Sequence, residues 1–174
     1  MKKQLSGIAA FVAAVAILVA ALLLANWAPL ALQKETLRRY NSIEEVRAAL
    51  PGKVIYVPSY FPQQVSWPPS KILAQGKPFQ ASVIEFKRAG SDEAVLTISQ
   101  AEGPFNTDRD IALTTVSEQV QYIMKGRTAA LQVGTCGNGE PCSRMSWNEG
   151  NSAITVTMRS GPFELTRISE SMLH

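Results

Sequence analysis

The chain has 174 residues, of which 46% are hydrophobic, with 17 Lys+Arg against 14 Asp+Glu and one histidine. The charges are interspersed rather than blocked, which argues against a nucleic-acid footprint or an acidic tail. The one histidine is the terminal His174, so the usual His-based nucleophiles and metal sites have no residue to build on.

Leu5–Trp27 contains no charge; it follows Met1-Lys2-Lys3, and the next charge is Lys34. A helix of that length spans roughly 34 Å, against a hydrocarbon core of about 30 Å, and so predicts a transmembrane helix. A cleaved signal peptide also opens on lysines. Its apolar region is shorter, however, and no clean A-x-A site follows before Trp27. Ala9, Ala13, Ala16 and Ala20 fall on one stripe of this helix, where small residues let a partner helix approach closely; the plainer reading is that alanine is common filler in such spans. All fourteen acids and fifteen of the seventeen bases lie after the span, leaving that part near +1.

Residues 1–4 are read as a cytoplasmic end, 5–27 as the span, 28–41 as a neck and 42–174 as one extracytoplasmic domain. Bases on both sides of the span do not decide its orientation. Cys136 and Cys142 weigh more. They enclose Gly-Asn-Gly-Glu-Pro, a turn-rich stretch whose ends can meet in a disulfide, and a lone pair so placed suits an oxidising compartment. The expected location is the inner membrane, with the N-terminus cytoplasmic and the domain periplasmic.

Along the domain, Ser42-Ile43-Glu44-Glu45 reads as a helix capping box that ends at Pro51-Gly52, and Lys53–Val57 alternates as a strand. Residues 59–70 carry Pro62, Pro68 and Pro69 and follow Pro58, so they form neither helix nor central strand. Tyr60, Phe61, Trp67, Pro68 and Pro69 are the candidate protein-contact segment; the alternative is an ordered loop folding its rings over the sheet edge. Beyond it the period is two. Strands are expected at Lys71–Gln75, Ala81–Arg88, Ala94–Gln100, Thr114–Met124, Arg127–Val133, Ser143–Trp147 and Ser152–Arg159, with turns at 89–92, Gly126 and 148–151. In Thr114–Met124, Val116, Val120 and Tyr122 alternate with Ser117, Gln119 and Gln121. Pro162 opens a last helix whose Leu165, Ile168 and Met172 face one way. The fold class is α+β: an N-terminal transmembrane helix, then a curved antiparallel sheet domain with a short N-terminal and a C-terminal helix.

Arg127-Thr-Ala-Ala-Leu131, Met145-Ser-Trp-Asn-Glu-Gly150 and Glu164-Leu-Thr-Arg-Ile-Ser-Glu-Ser171, with the Tyr56-Val-Pro-Ser-Tyr-Phe-Pro62 start, carry a resemblance over about residues 53–172. The chain resembles the extracytoplasmic domain of unknown function found behind the single span of some bacterial anti-sigma-type membrane regulators. The resemblance implies an antiparallel sheet with a terminal helix and a non-catalytic role. Only about seven residues precede the unbroken apolar run at Ile8, too few for a sigma-binding module, so a direct anti-sigma role is not expected.

No Ser or Thr is followed three residues later by Lys, the cysteine spacing is not C-x-x-C, and Gly134–Gly139 lacks the Lys-Ser/Thr of a phosphate loop. Neither enzyme activity nor a cofactor is expected. Three functions remain: an accessory subunit of a larger membrane protein complex, an envelope-signalling sensor module, and a lipid or lipoprotein carrier. The bilayer and a membrane protein complex are the expected partners.

Overall fold

The computed structural model describes Val15, Val19, Leu22, residues 37–106 and residues 111–173. The chain divides into two compact units, Met1–Thr36 and Leu37–His174. In the first, Val15, Val19 and Leu22 are helical, and their apolar side chains are exposed. The rest of the expected span, including Ala9, Ala13, Ala16 and Ala20, lies outside the described residues. Among the described residues no helix is long and apolar enough to cross a membrane.

Among the described residues the second unit is one eight-stranded antiparallel sheet with two helices. In chain order these are β1 (Arg38–Tyr40), α1 (Ile43–Ala49), β2 (Lys71–Gln75), β3 (Ala81–Lys87), β4 (Ala94–Ala101), β5 (Leu113–Met124), β6 (Arg127–Cys136), β7 (Pro141–Glu149), β8 (Ser152–Met158) and α2 (Pro162–Ser171). The sheet runs β1-β2-β3-β4-β8-β7-β6-β5 and is open. The hairpins expected around 89–92, Gly126 and 148–151 are present, as is the closing helix.

Local chemistry explains the helix ends. Ser42 caps α1 by accepting from the Glu45 N–H at 3.2 Å, and the Glu45 carboxylate reaches back to the Asn41 N–H at 2.9 Å, one residue earlier than in the standard box. Pro162 opens α2, where its missing N–H leaves nothing unsatisfied, and Leu165, Ile168 and Met172 point inward as expected, each buried.

The larger of two apolar clusters occupies one face of the sheet, although β3 and β4 are buried on both faces. Ile84, Phe86, Leu96, Ile98, Met145, Trp147, Ile154 and Val156 meet Val46 of α1 and Leu50 at its C-cap, Ile55 and Val65 of the intervening segment, and Leu165 and Ile168 of α2. The connection from β4 at the sheet's middle to β5 at its far edge joins strands that are not neighbours in the sheet. It ends at Ile111, which is buried with Cys136 and Cys142 and packs with Ala94 and Leu113.

Three expectations need correction. Arg38–Tyr40, assigned to the neck, is the sheet's first strand and pairs with Ile72–Ala74. Lys53–Val57 forms no strand. Its alternation is real, since Ile55 is buried and Val54 exposed, but the backbone of Tyr56 is claimed by a side chain: its N–H donates to Gln100 Oε1 at 3.0 Å and its carbonyl accepts from Gln100 Nε2 at 2.6 Å. With both groups satisfied by one buried carboxamide, a ladder partner is not needed there. Finally, the alternation in β5 does not mark a buried face. Residues 114–121 are exposed on both faces because β5 is an outermost strand extending past the core.

Candidate interaction surface

Prolines shape the segment between α1 and β2. Residues 64–70 run beside the end of β3, with hydrogen bonds of 2.9 Å from the Ala89 N–H to the Gln64 carbonyl, the Ser66 N–H to the Lys87 carbonyl and the Ser70 N–H to the Glu85 carbonyl. Pro68 and Pro69 have no N–H to continue that pairing, so the chain leaves the ladder between Ser66 and Ser70 and carries Trp67 outward.

The five candidate residues therefore separate. Tyr60 is a strut: its hydroxyl donates to Glu164 Oε2 at 2.8 Å, and the Arg167 guanidinium lies 4.1 Å from its ring centroid. Donation to that carboxylate holds the phenol above its ordinary pKa. Phe61 is half-buried, with its ring 5.0 Å from that of Phe86, which is wholly buried. Trp67 stacks over Phe86 at 6.1 Å and tilts against Phe61 at 5.4 Å, yet remains 60% exposed. Pro68 is exposed and Pro69 half-buried. Together with Val57, Ile72 and the first turn of α1, the Trp67-Pro68-Pro69 run lines a cleft of about 260 Å³.

The segment thus divides by atom. Phe61 folds over the sheet as a core extension, whereas Trp67 and Pro68 present a stiff apolar surface to the outside. An indole held on one face and open on the other suits a protein contact, because little side-chain entropy remains to be lost when a partner covers it. Phe86, the platform beneath it, escapes sequence reasoning because it reads as an ordinary core position in a strand.

Cys136 and Cys142 lie at disulfide distance, with Cα atoms 5.3 Å apart, and neither is free. The loop they close carries Glu140, which lies 3.7 Å from Arg159 and 3.8 Å from Arg88; both arginines also meet Glu93 at 3.0 Å. Two acids and two bases balance, tying this loop to the β3–β4 turn. The arrangement is structural. Replacing both cysteines by serine should cost about 2 kcal/mol or less, given so short a loop, and should loosen Ile111 and the Glu140 loop without unfolding the sheet. Alkylation by a thiol reagent should require prior reduction in the wild type, and ready labelling of the native protein would contradict the bond.

The stretches bearing the family resemblance are neighbours in space. Arg127 engages Glu149 through both ends of its guanidinium, with Nη2 to Oε1 at 2.9 Å, and this pairing holds the Glu149 carboxyl below its usual pKa range. Tyr122 of β5 donates to Glu170 of α2 at 2.9 Å. Lys53, nearly withdrawn from water, donates to the Gln80 carbonyl at 3.3 Å and lies 3.8 Å from Glu102; desolvation lowers its pKa, opposed by Glu102. Among the described residues no group of three His, Cys, Asp or Glu side chains is placed to hold a metal ion. Comparison of the chain with protein-family models, curated proteins and solved structures gave no match.

Proposed function

We propose that this protein is a single-pass, membrane-anchored, non-enzymatic accessory subunit that packs on a larger membrane protein complex, with the sheet domain on the extracytoplasmic side of the inner membrane. The observation that carries the reading is Trp67, exposed over a fixed Phe86 platform beside two prolines. The uncharged Leu5–Trp27 stretch supplies the anchor, and the helical, exposed Val15, Val19 and Leu22 fit an apolar surrounding. The carrier reading draws no support from the space under α2, which is filled by Leu165 and Ile168 packed with Met145, Trp147 and Val156. The sensor reading rests on the resemblance alone.

The test lies in the span. Ala13→Leu with Ala16→Leu preserves hydrophobicity but holds helix backbones apart. The double variant should still fractionate with membranes yet lose its partner on mild detergent extraction, whereas Leu22→Ala should keep it. Equal co-purification of both variants would remove the anchor's role in partner binding.

A further inference from the structure

We infer that β5 is a self-association edge, through which two copies of this chain join their sheets by antiparallel β5–β5 pairing about Gln121. The sheet's two edges differ in kind. β1 is three residues long and carries Arg38 and Arg39, a short charged edge of the sort that blocks strand addition. β5 is twelve residues long with one charge, Glu118, and no proline. Its irregularities fall between Leu113 and Glu118, so Glu118–Met124 forms a regular edge that no further strand pairs among the described residues. Val120 and Ile123 stand 40% and 76% exposed on it.

The turn fixes which backbone groups are free. Lys125 and Gly126, with φ of 45° and 81°, form a two-residue hairpin loop, which makes Met124 and Arg127 the closing hydrogen-bonded pair. Alternation then directs the N–H and C=O of Tyr122, Val120 and Glu118 toward β6, and those of Ile123, Gln121 and Gln119 outward. A two-fold axis at Gln121 brings outward groups only against outward groups: Gln121 with its copy, and Gln119 with the second copy's Ile123. On the core face the same register sets Val120 beside the second copy's Tyr122, a favourable β-branched and aromatic cross-strand pair. Glu118 falls opposite the second copy's Met124, so no like charges meet. An axis between two residues would set outward groups against inward ones and is excluded. The occupant that satisfies backbone, charge and apolar groups together is a second copy of the same strand.

Seven residues of strand make a small interface beside the roughly 1,000 Å² of a stable one, so the dimer should be concentration-dependent, and common attachment to a bilayer, part of the reading above, would favour it. The register itself does not depend on that attachment. The test is oxidative cross-linking of the full chain in membranes. Gln121→Cys places two thiols at the axis, within the Cα spacing a disulfide accepts, while Gln119→Cys, equally exposed, leaves its thiols about 14 Å apart. Gln121→Cys should give at least about fivefold more disulfide dimer than Gln119→Cys, since only the first meets the geometric limit. Equal yields, or no dimer from Gln121→Cys, would overturn the inference, as would a cross-link to a different protein. A second variant guards against misfolding: Gln121→Pro removes an outward N–H that β6 does not use. In detergent the wild-type full chain should shift from monomer to dimer with concentration and Gln121→Pro should stay monomeric. A wild type monomeric throughout would refute the pairing, whereas loss of membrane fractionation would strike the anchor instead.

Discussion

Phe86→Ala is expected to lower the stability of the sheet domain by about 3–5 kcal/mol, the range for deleting a buried aromatic, while Trp67→Ala should cost only about 1 kcal/mol. Phe86 is wholly buried at the centre of the three-ring stack, and its loss opens a cavity under both Phe61 and Trp67. Trp67 is 60% exposed and forfeits one stacked face. Against a typical total of about 5–15 kcal/mol, the first change is severe and the second mild. Denaturant unfolding of the full chain, followed by circular dichroism, measures both. The two variants should diverge in the opposite order in partner retention: Trp67→Ala should weaken association while the fold stays intact. Equal stability losses would show that the indole is part of the core and not a docking anchor.

Gly134→Ala is expected to dislodge the first half of β5. A Cβ built at Gly134 lies 1.7 Å from the Thr115 carbonyl oxygen and 2.8 Å from its carbon, a collision with backbone that no rotamer relieves. Gly134 pairs with Val116 where the β5–β6 register shifts, so the two strands approach closely there because no side chain stands between them. The expected loss is about 3 kcal/mol, at the upper end of overpacking costs, taken largely as unpairing of Leu113–Val116. Amide hydrogen exchange should show those residues losing protection while β3 and β4 keep theirs. Gly126→Ala, by contrast, meets no atom within 4 Å; it is strained only by its φ of 81° and should cost about 1 kcal/mol. If Gly134→Ala left exchange in β5 unchanged, the close approach would be refuted.

The parts legible in the sequence are those specified locally. Gly90, Gly126 and Gly150 take the positive φ that their turn signals announce, and Ser42 and Pro162 start helices because cap chemistry lies within a few residues. What escaped notice depends on distant groups. Arg38–Tyr40 is a strand because Ile72–Ala74 lies beside it, and nothing in three residues signals that. Lys53–Val57 has a strand's pattern but meets the Gln100 carboxamide, 44 residues away, in place of a ladder. The period of β5 is a strand's period, but burial depends on where the strand falls in the sheet, and the crossing from β4 to the far edge leaves no local trace.

The candidate surface divides in the same manner. Proline spacing announced that residues 59–70 form neither helix nor central strand, and the cysteine loop announced its own closure. Which aromatic remains outside was decided by Phe86, a partner on another strand. The free edge of β5 was equally hidden, since it follows from strand order together with the Lys125-Gly126 turn.

Mild-detergent extraction of host membranes tests the central claim most directly, with the composition of the purified particle that carries this chain as the readout. The account predicts a larger membrane protein in fixed stoichiometry with this chain, retained through purification and lost from the Ala13→Leu, Ala16→Leu variant. A chain that leaves the membrane with no other protein, alone or only as its own dimer, would contradict the accessory-subunit reading.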